Sequence, residues 1–392
     1  MTSEHLHLGQ LLIIGFDGTE MSPRPASLLT KIQPAGLILF ARNIAAADQT
    51  HRLLRECQRC VSTPLFTCVD LEGGTVDRLR DVLGPAPSAA DVFAAGDRKL
   101  FRKHGRLIGE NCRALGFNVD FAPVLDLAFE ASRKVMGSRS VSANPKEVAA
   151  YTREFLRGLG DAKVLGCGKH FPGLGEANLD THNELPCVEK PLKKLWNEDL
   201  MPYRLLRREL PFVMIAHAAY PMVARDMALT RIAAKEAIRK SPTPASLSRK
   251  WIAGILRKRI GYRGLVISDD LEMGGVLAAA SIEQAAIGHI RAGGDLALIC
   301  HKEDLILRAH EAMIHEAECD RRFRKRIEES ARRVLAFKKK HAALFRASAA
   351  PSAATVEKLS RNLWEFGEQV RLAKLDGARI DTDESASRER TA

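Results

Sequence analysis

The sequence predicts an α/β fold: a closed (β/α)8 barrel of the TIM type, forming one catalytic domain with a helical C-terminal extension. Three observations point there. Eight short apolar runs recur along the chain, amphipathic stretches of helical length separate most of them, and polar residues gather where the runs end. Runs that are apolar almost throughout, rather than alternating, belong to a parallel sheet covered on both faces.

In order, the runs are LLIIGF (11–16), GLILF (36–40), LFTCVD (65–70), VDFAPVLD (119–126), VLGCGKH (164–170), FVMIAH (212–217), GLVISDD (264–270) and DLALIC (295–300). Stretches such as PKEVAAYTREFLRGLGDA and IEQAAIGHIRAGG supply the intervening helices. Arg42 follows the second run, Asp70 closes the third and Asp126 the fourth. Lys169 and His170 end the fifth, His217 the sixth, Asp269 and Asp270 the seventh, and His301 follows the eighth. In a barrel these ends open on one face, so the pattern predicts a polar pocket there. A single polar residue at one strand end would read as a helix cap. Its recurrence on nearly every strand does not.

A chain of 392 residues, 46% hydrophobic and 28% charged, fits a globular protein with a substantial core and excludes fibrous and disordered classes. No apolar run approaches the roughly 18 residues of a membrane span. The opening MTSEHLHLGQLLIIGF lacks the pattern of a secretory signal, and the eight cysteines lack paired spacing, so a reducing cytoplasm is the expected setting. Cys57 and Cys60 form a C-x-x-C inside the helical pattern HRLLRECQRC. No second ligand pair stands at metal spacing, so neither a metal nor a cofactor is expected. Much of the basic excess behind the net charge of +12 lies in DRRFRKRIEESARRVLAFKKKH. Its interleaved glutamates and apolar stripe read as a solvated or anion-facing helix rather than a nucleic-acid reader. The expected organisation is a barrel domain over 1–320, a basic helical extension over 321–374 and a disordered polar tail over 375–392.

Chemistry concentrates in a few stretches. GLVISDDLEMGG places two aspartates where a strand meets its loop, and because neighbours in a strand face opposite ways, at most one can face the pocket centre. VDLEGGTVDRL sets Asp70 at a strand end, then a Gly–Gly turn, then Arg78, without the order of a phosphate loop. GSRSVSANP adds Arg139, and KHFPGLGEANLDTHNELP gathers Lys169, His170, Asp180 and His182 in a segment too rich in glycine for a helix. Taken singly, each reads as well as a cap, a loop hydrogen-bonder or a surface ion-pair partner.

Together, VDLEGGTVDRL, FAPVLDL, GSRSVSANP, GKHFPGLGEANLDTHNELP, MIAHAAYP, PASLS and GYRGLVISDDLEM occur in an order that closely resembles glycoside hydrolase family 3, in particular its bacterial cytoplasmic β-N-acetylhexosaminidases of peptidoglycan recycling. The resemblance covers about residues 8 to 305. It implies that Asp269 is the catalytic nucleophile, His182 the general acid/base and Asp180 the carboxylate that orients it. Asp70, Arg78, Arg139, Lys169 and His170 would bind the sugar. The usual retaining glycosidase pairs two carboxyl groups, whereas an imidazole titrating near neutrality both protonates a leaving oxygen and later deprotonates water. The implied reaction is removal of terminal β-linked N-acetylglucosamine from muropeptides with retention, the proton donor riding on a mobile glycine-rich loop.

Two departures and several alternatives accompany this reading. Leu174 stands where the family usually has a histidine, from which altered loop contacts are expected, and RDMALTRIAAKEAIRKSPT (225–243) replaces a short link. A β-glucosidase of the same family, an N-acetylglucosaminide phosphorylase (an imidazole need not repel phosphate) and a non-catalytic amino-sugar-binding protein are the competing functions. The expected partner is a small carbohydrate, with no nucleic acid and no membrane span. Oligomeric state is not legible.

Overall fold

The computed structural model describes residues 7–177, 185–226, 243–346 and 348–389, the side chains of 224–226 and 377–389 excepted. Eight parallel strands close into a barrel in sequence order: β1 (Leu12–Ile14), β2 (Gly36–Ile38), β3 (Phe66–Val69), β4 (Val119–Asp120), β5 (Leu165–Phe171), β6 (Phe212–Ile215), β7 (Leu265–Asp270) and β8 (Leu296–Ile299). The seam is sealed where Leu12 pairs with Ala297. Each strand lies inside the run that foretold it except β5, which extends one residue further to Phe171. The shortening is greatest at β4, where Pro123 has no N–H to donate to a ladder, so only an isolated bridge from Val124 to Lys169 continues the pairing.

Side chains from all eight strands fill the barrel, among them Ile13, Ile38, Phe66, Phe121, Phe212 and Ile267. The floor is closed by the helix Arg321–Lys340, which contributes Val334 and Phe337 to this interior cluster. The Phe337 ring centroid lies 5.4 Å from that of Phe212 and 6.1 Å from that of Phe66, in edge-to-face geometry. Asp295, fully buried just before β8, fastens the helix from the side. Its carboxylate pairs with Arg257 and Arg333, accepts from Arg326 at 3.4 Å, and accepts the Val266 N–H at 2.9 Å. The basic helix therefore has a structural face as well as a solvated one. The expected boundary at 320 falls at Asp320, whose carboxylate caps this helix through the N–H groups of Arg322 and Phe323.

A long helix, Ala353–Glu389, lies against the helix Arg98–Leu115. Leu359, Leu363, Phe366 and Val370, spaced four, three and four residues apart, form its buried stripe. Lys374 pairs with Asp91 on the short helix Ala89–Ala94 between β3 and β4, so the long helix also braces the segment leading from β3. The expected boundary between 374 and 375 falls within this helix. Among the described residues no helix is long and apolar enough to cross a membrane.

Replacing Phe366 with Ala removes a fully buried ring from the interface between the two long helices. It should lower unfolding free energy by about 3–5 kcal/mol, read as a reduced urea midpoint at unchanged slope.

Candidate active site

The chain leaving β3 makes a two-stranded hairpin, Leu71–Gly73 with Val76–Asp77, across the mouth of the barrel. Gly73 and Gly74 turn it with φ of +81° and +62°. A Cβ on Gly73 would sit 2.2 Å from the Pro87 carbonyl oxygen, and one on Gly74 2.6 Å from the Ser88 Cβ, so the turn demands both glycines. Asp77 accepts the backbone N–H groups of Leu79 and Ala86, shaping the loop that presents Arg78. Beneath the hairpin, Asp120 accepts the Leu71 N–H at 3.0 Å, and burial pushes its carboxyl well above the usual range.

A cavity of about 170 Å3 opens at the C-terminal ends of the strands, and Asp70, Arg78, Arg139, Lys169, His170 and Asp269 all line it. These are six of the eight side chains named from the sequence. The other two, Asp180 and His182, lie outside the described residues, as does most of the 225–243 segment.

Lys169, 3% exposed, binds Asp70 at 2.7 Å and Glu72 at 2.6 Å. Arg139 closes on the same Glu72 with two parallel bonds of 2.8 and 2.9 Å. Burial alone would raise the Glu72 carboxyl, but Lys169 and then Arg139 outweigh it and hold the group well below the ordinary carboxylate range. Burial likewise works against the Lys169 charge, and Asp70 and Glu72 more than restore it. Sequence reasoning passed over Glu72. The signal was its position two residues after Asp70, which puts both carboxylates on one side of an extended chain.

His170 gives its Nδ1–H to Asp126 at 2.6 Å, while the His170 backbone N–H donates to the same oxygen at 3.1 Å. The second Asp126 oxygen accepts the Leu174 N–H at 2.7 Å. The ring is thereby fixed with Nε2 free of Asp126, the division of labour of a histidine oriented by a buried carboxylate. Asp126 was visible in the sequence as a polar strand end, and Lys169 and His170 could be read there as neutralising Asp126 or Asp70.

Asp269 ends β7. One of its oxygens accepts the Asp270 N–H at 2.9 Å, and the carboxylate forms no ion pair within hydrogen-bond reach among the described residues. Burial pushes its pKa up, yet His170, His217, the Asp270 N–H and Lys169 together hold it below the ordinary value. His217, buried on β6's exit, donates from Nε2 to the Asp270 carbonyl at 2.9 Å and accepts the Ser246 hydroxyl at Nδ1, 2.7 Å away. The MIAHAAYP and PASLS stretches thus meet to steady the backbone behind Asp269. Asp270 also lines the cavity, but its carboxylate is taken up by the N–H groups of Glu272 and Cys300, with His301 3.4 Å away. At the rim, Arg42 and Arg78 stand 4.7 and 5.7 Å from the Phe40 ring centroid, with His301 beside its other contacts at 5.0 Å. The arrangement can bind a polyhydroxylated ligand through paired charges and present one ionised carboxylate to it.

Replacing Glu72 with Gln leaves Lys169 and Arg139 sharing one neutral amide, which should destabilise the fold by about 3–5 kcal/mol at neutral pH. A carboxyl whose pKa is depressed by folding contributes stability above its unfolded pKa and loses it as pH falls toward the folded one. The gap in urea midpoint between the parent and the variant should accordingly narrow as pH drops below about 4.5.

Comparison with known proteins agrees with this geometry. Residues 4–337 match the glycosyl hydrolase family 3 N-terminal domain. A β-hexosaminidase of Idiomarina loihiensis is 33% identical over 294 residues, 74% of this chain and 83% of that protein. One from Xanthomonas campestris pv. campestris is 35% identical over 300 residues, 75% and 85% of the two chains. Among solved structures, a family 3 β-N-acetylglucosaminidase from Paenibacillus sp. superposes with a TM-score of 0.83 at 31% identity, covering 94% of this chain and 69% of that one. M. tuberculosis LpqI gives 0.74 at 29%, covering 86% and 94%. A closed parallel barrel, a mouth lined by paired charges and an ionised aspartate on the seventh strand are joined by a match over most of the chain: this protein is a glycoside hydrolase and belongs to family 3.

Proposed function

We propose that the chain is a retaining exo-β-N-acetylhexosaminidase that removes terminal β-linked N-acetylglucosamine from muropeptides during cytoplasmic peptidoglycan recycling. The observation that carries the chemistry is Asp269: a half-buried carboxylate held in its ionised form, with one oxygen fixed by the Asp270 N–H and the other accepting no hydrogen bond among the described residues. The names of the relatives support an amino sugar as substrate. The muropeptide aglycone rests on the motif resemblance alone.

In the proposed reaction the open Asp269 oxygen attacks the anomeric carbon. The glycosidic C–O bond breaks as His182 gives its proton to the leaving oxygen, and a covalent glycosyl-enzyme forms. Water then yields a proton to His182 and attacks the same carbon, expelling Asp269 with net retention. Asp180 is assigned the orienting role. Both residues of this pair lie outside the described residues, but the chain on either side is well tied. Tyr220 donates to the Gly173 carbonyl at 2.7 Å, and the Val188 N–H to the Ala219 carbonyl at 2.8 Å. Lys169, His170, Asp70, Arg78 and Arg139 are assigned to the sugar hydroxyls and their surroundings.

Turnover of a chromogenic N-acetylglucosaminide should exceed that of the corresponding glucoside. Asp269→Asn should reduce kcat by at least about 10³-fold and His182→Ala by about 10²–10⁴-fold. A slow fluorinated sugar should label the peptide that contains Asp269. Unimpaired turnover in Asp269→Asn would remove the nucleophile assignment, and free-sugar product in phosphate buffer would distinguish hydrolysis from transfer to phosphate.

A further inference from the structure

A second concave surface lies at the opposite end of the barrel from Asp269. It is a groove of about 660 Å3, bounded by the segment leading into β6, the turn leading into β7 and the last turns of the helix Arg321–Lys340. Its floor is apolar, formed by Leu210, Pro211 and Phe337, and its walls carry Arg207, Arg208, Arg263, Arg333 and Lys340.

The charges in these walls are poorly compensated. Arg333 is committed to Asp295. The one carboxylate among the lining residues, Glu209, is held by Arg153 at 2.9 and 3.1 Å. Arg207 and Arg263 donate only to backbone carbonyls, those of Arg204 and Arg257. The side chains of Arg208 and Lys340 form no hydrogen bond or ion pair among the described residues. Four cations on three separate elements thus face one hollow without a counter-charge, and their mutual repulsion makes the groove a focus of positive potential.

The arrangement also selects the shape of the anion. The cations surround a hollow instead of following a line, so they converge on a compact ligand, whereas a surface that tracks a nucleic-acid backbone spreads its charges along a path. A bilayer, being flat, would meet the rim and leave the floor empty. We propose that this groove binds a small anion built of closely spaced phosphates, either free or carried by a nucleotide. Bound there, the ligand bridges the helix that closes the floor to the starts of β6 and β7, the latter being the strand whose far end bears Asp269.

Inorganic tripolyphosphate titrated calorimetrically into the full chain should bind with unit stoichiometry and raise the melting temperature, since a ligand that binds only the folded state stabilises it. Affinity should fall by about 10-fold or more between 50 and 300 mM KCl, as charge screening tightens. The double variant Arg208→Ala, Lys340→Ala should weaken binding by about 10-fold or more while turnover of the chromogenic substrate is unchanged. A nucleoside triphosphate that binds more tightly than tripolyphosphate identifies a nucleotide as the source, and equal affinity identifies a free phosphate chain. Absence of tripolyphosphate binding at low salt, or equal binding by the parent and the double variant, overturns the proposal. So does retention of a DNA duplex or of anionic vesicles that the double variant abolishes while tripolyphosphate fails to compete.

Discussion

The mouth of the barrel depends on one buried ammonium group. Lys169 sits at 3% exposure, where an uncompensated charge would cost several kcal/mol. Asp70 and Glu72 supply the compensation, and Glu72 is shared with Arg139. The network therefore draws together the end of β3, the hairpin beyond it, the turn at 137–139 and the end of β5. Two cations and two carboxylates balance within it. Asp269 is consequently not consumed as a counter-ion: its charge is stabilised at longer range, chiefly by His170 and His217, and its free oxygen stays available to a ligand. Neutrality in the frame is what leaves the seventh strand's carboxylate without an ion-pair partner among the described residues.

The two ends of the barrel are held by different physics. At the mouth, polar groups with long-range partners set positions while leaving a cavity. At the floor, an aromatic cluster of Phe66, Phe212 and Phe337 and a carboxylate ringed by arginines leave almost no space in the interior. This division matches the general separation of chemistry and stability between the two faces of such barrels. The C-terminal helices belong to that frame. One closes the floor, and the other, through Lys374 and Asp91, reaches the short helix Ala89–Ala94 that follows the hairpin.

What was legible in the sequence follows from how local each signal is. Eight strands were readable because a buried parallel strand is a contiguous apolar run, and the site face was readable because polar residues stop those runs. The pairing of Glu72 with Arg139 was not readable, because the two are 67 residues apart, a distance over which no periodicity carries information. The helix Arg321–Lys340 was misjudged in emphasis for a related reason. Its charges dominate its composition, but Val334 and Phe337, on the minority face, determine where it packs. The extent of the long helix beyond Ala353 was not readable because its stripe of Leu359, Leu363, Phe366 and Val370 occupies only its first half.

Leu174 shows how far a sequence departure reaches once geometry is known. The residue stands where the family usually carries a histidine, and a lost polar side chain beside a catalytic mouth could have meant lost chemistry. Its contribution to the charge frame, however, is made by the backbone: the Leu174 N–H donates to Asp126 at 2.7 Å, and Asp126 in turn orients His170. Any residue except proline supplies that N–H. The side chain itself is buried and lines the cavity, so the change from imidazole to isobutyl alters the wall that a ligand meets, making it apolar, without disturbing the groups that hold His170 in place. The departure therefore bears on which ligand fits, and the orientation of His170 is insulated from it by a hydrogen bond that does not involve the side chain.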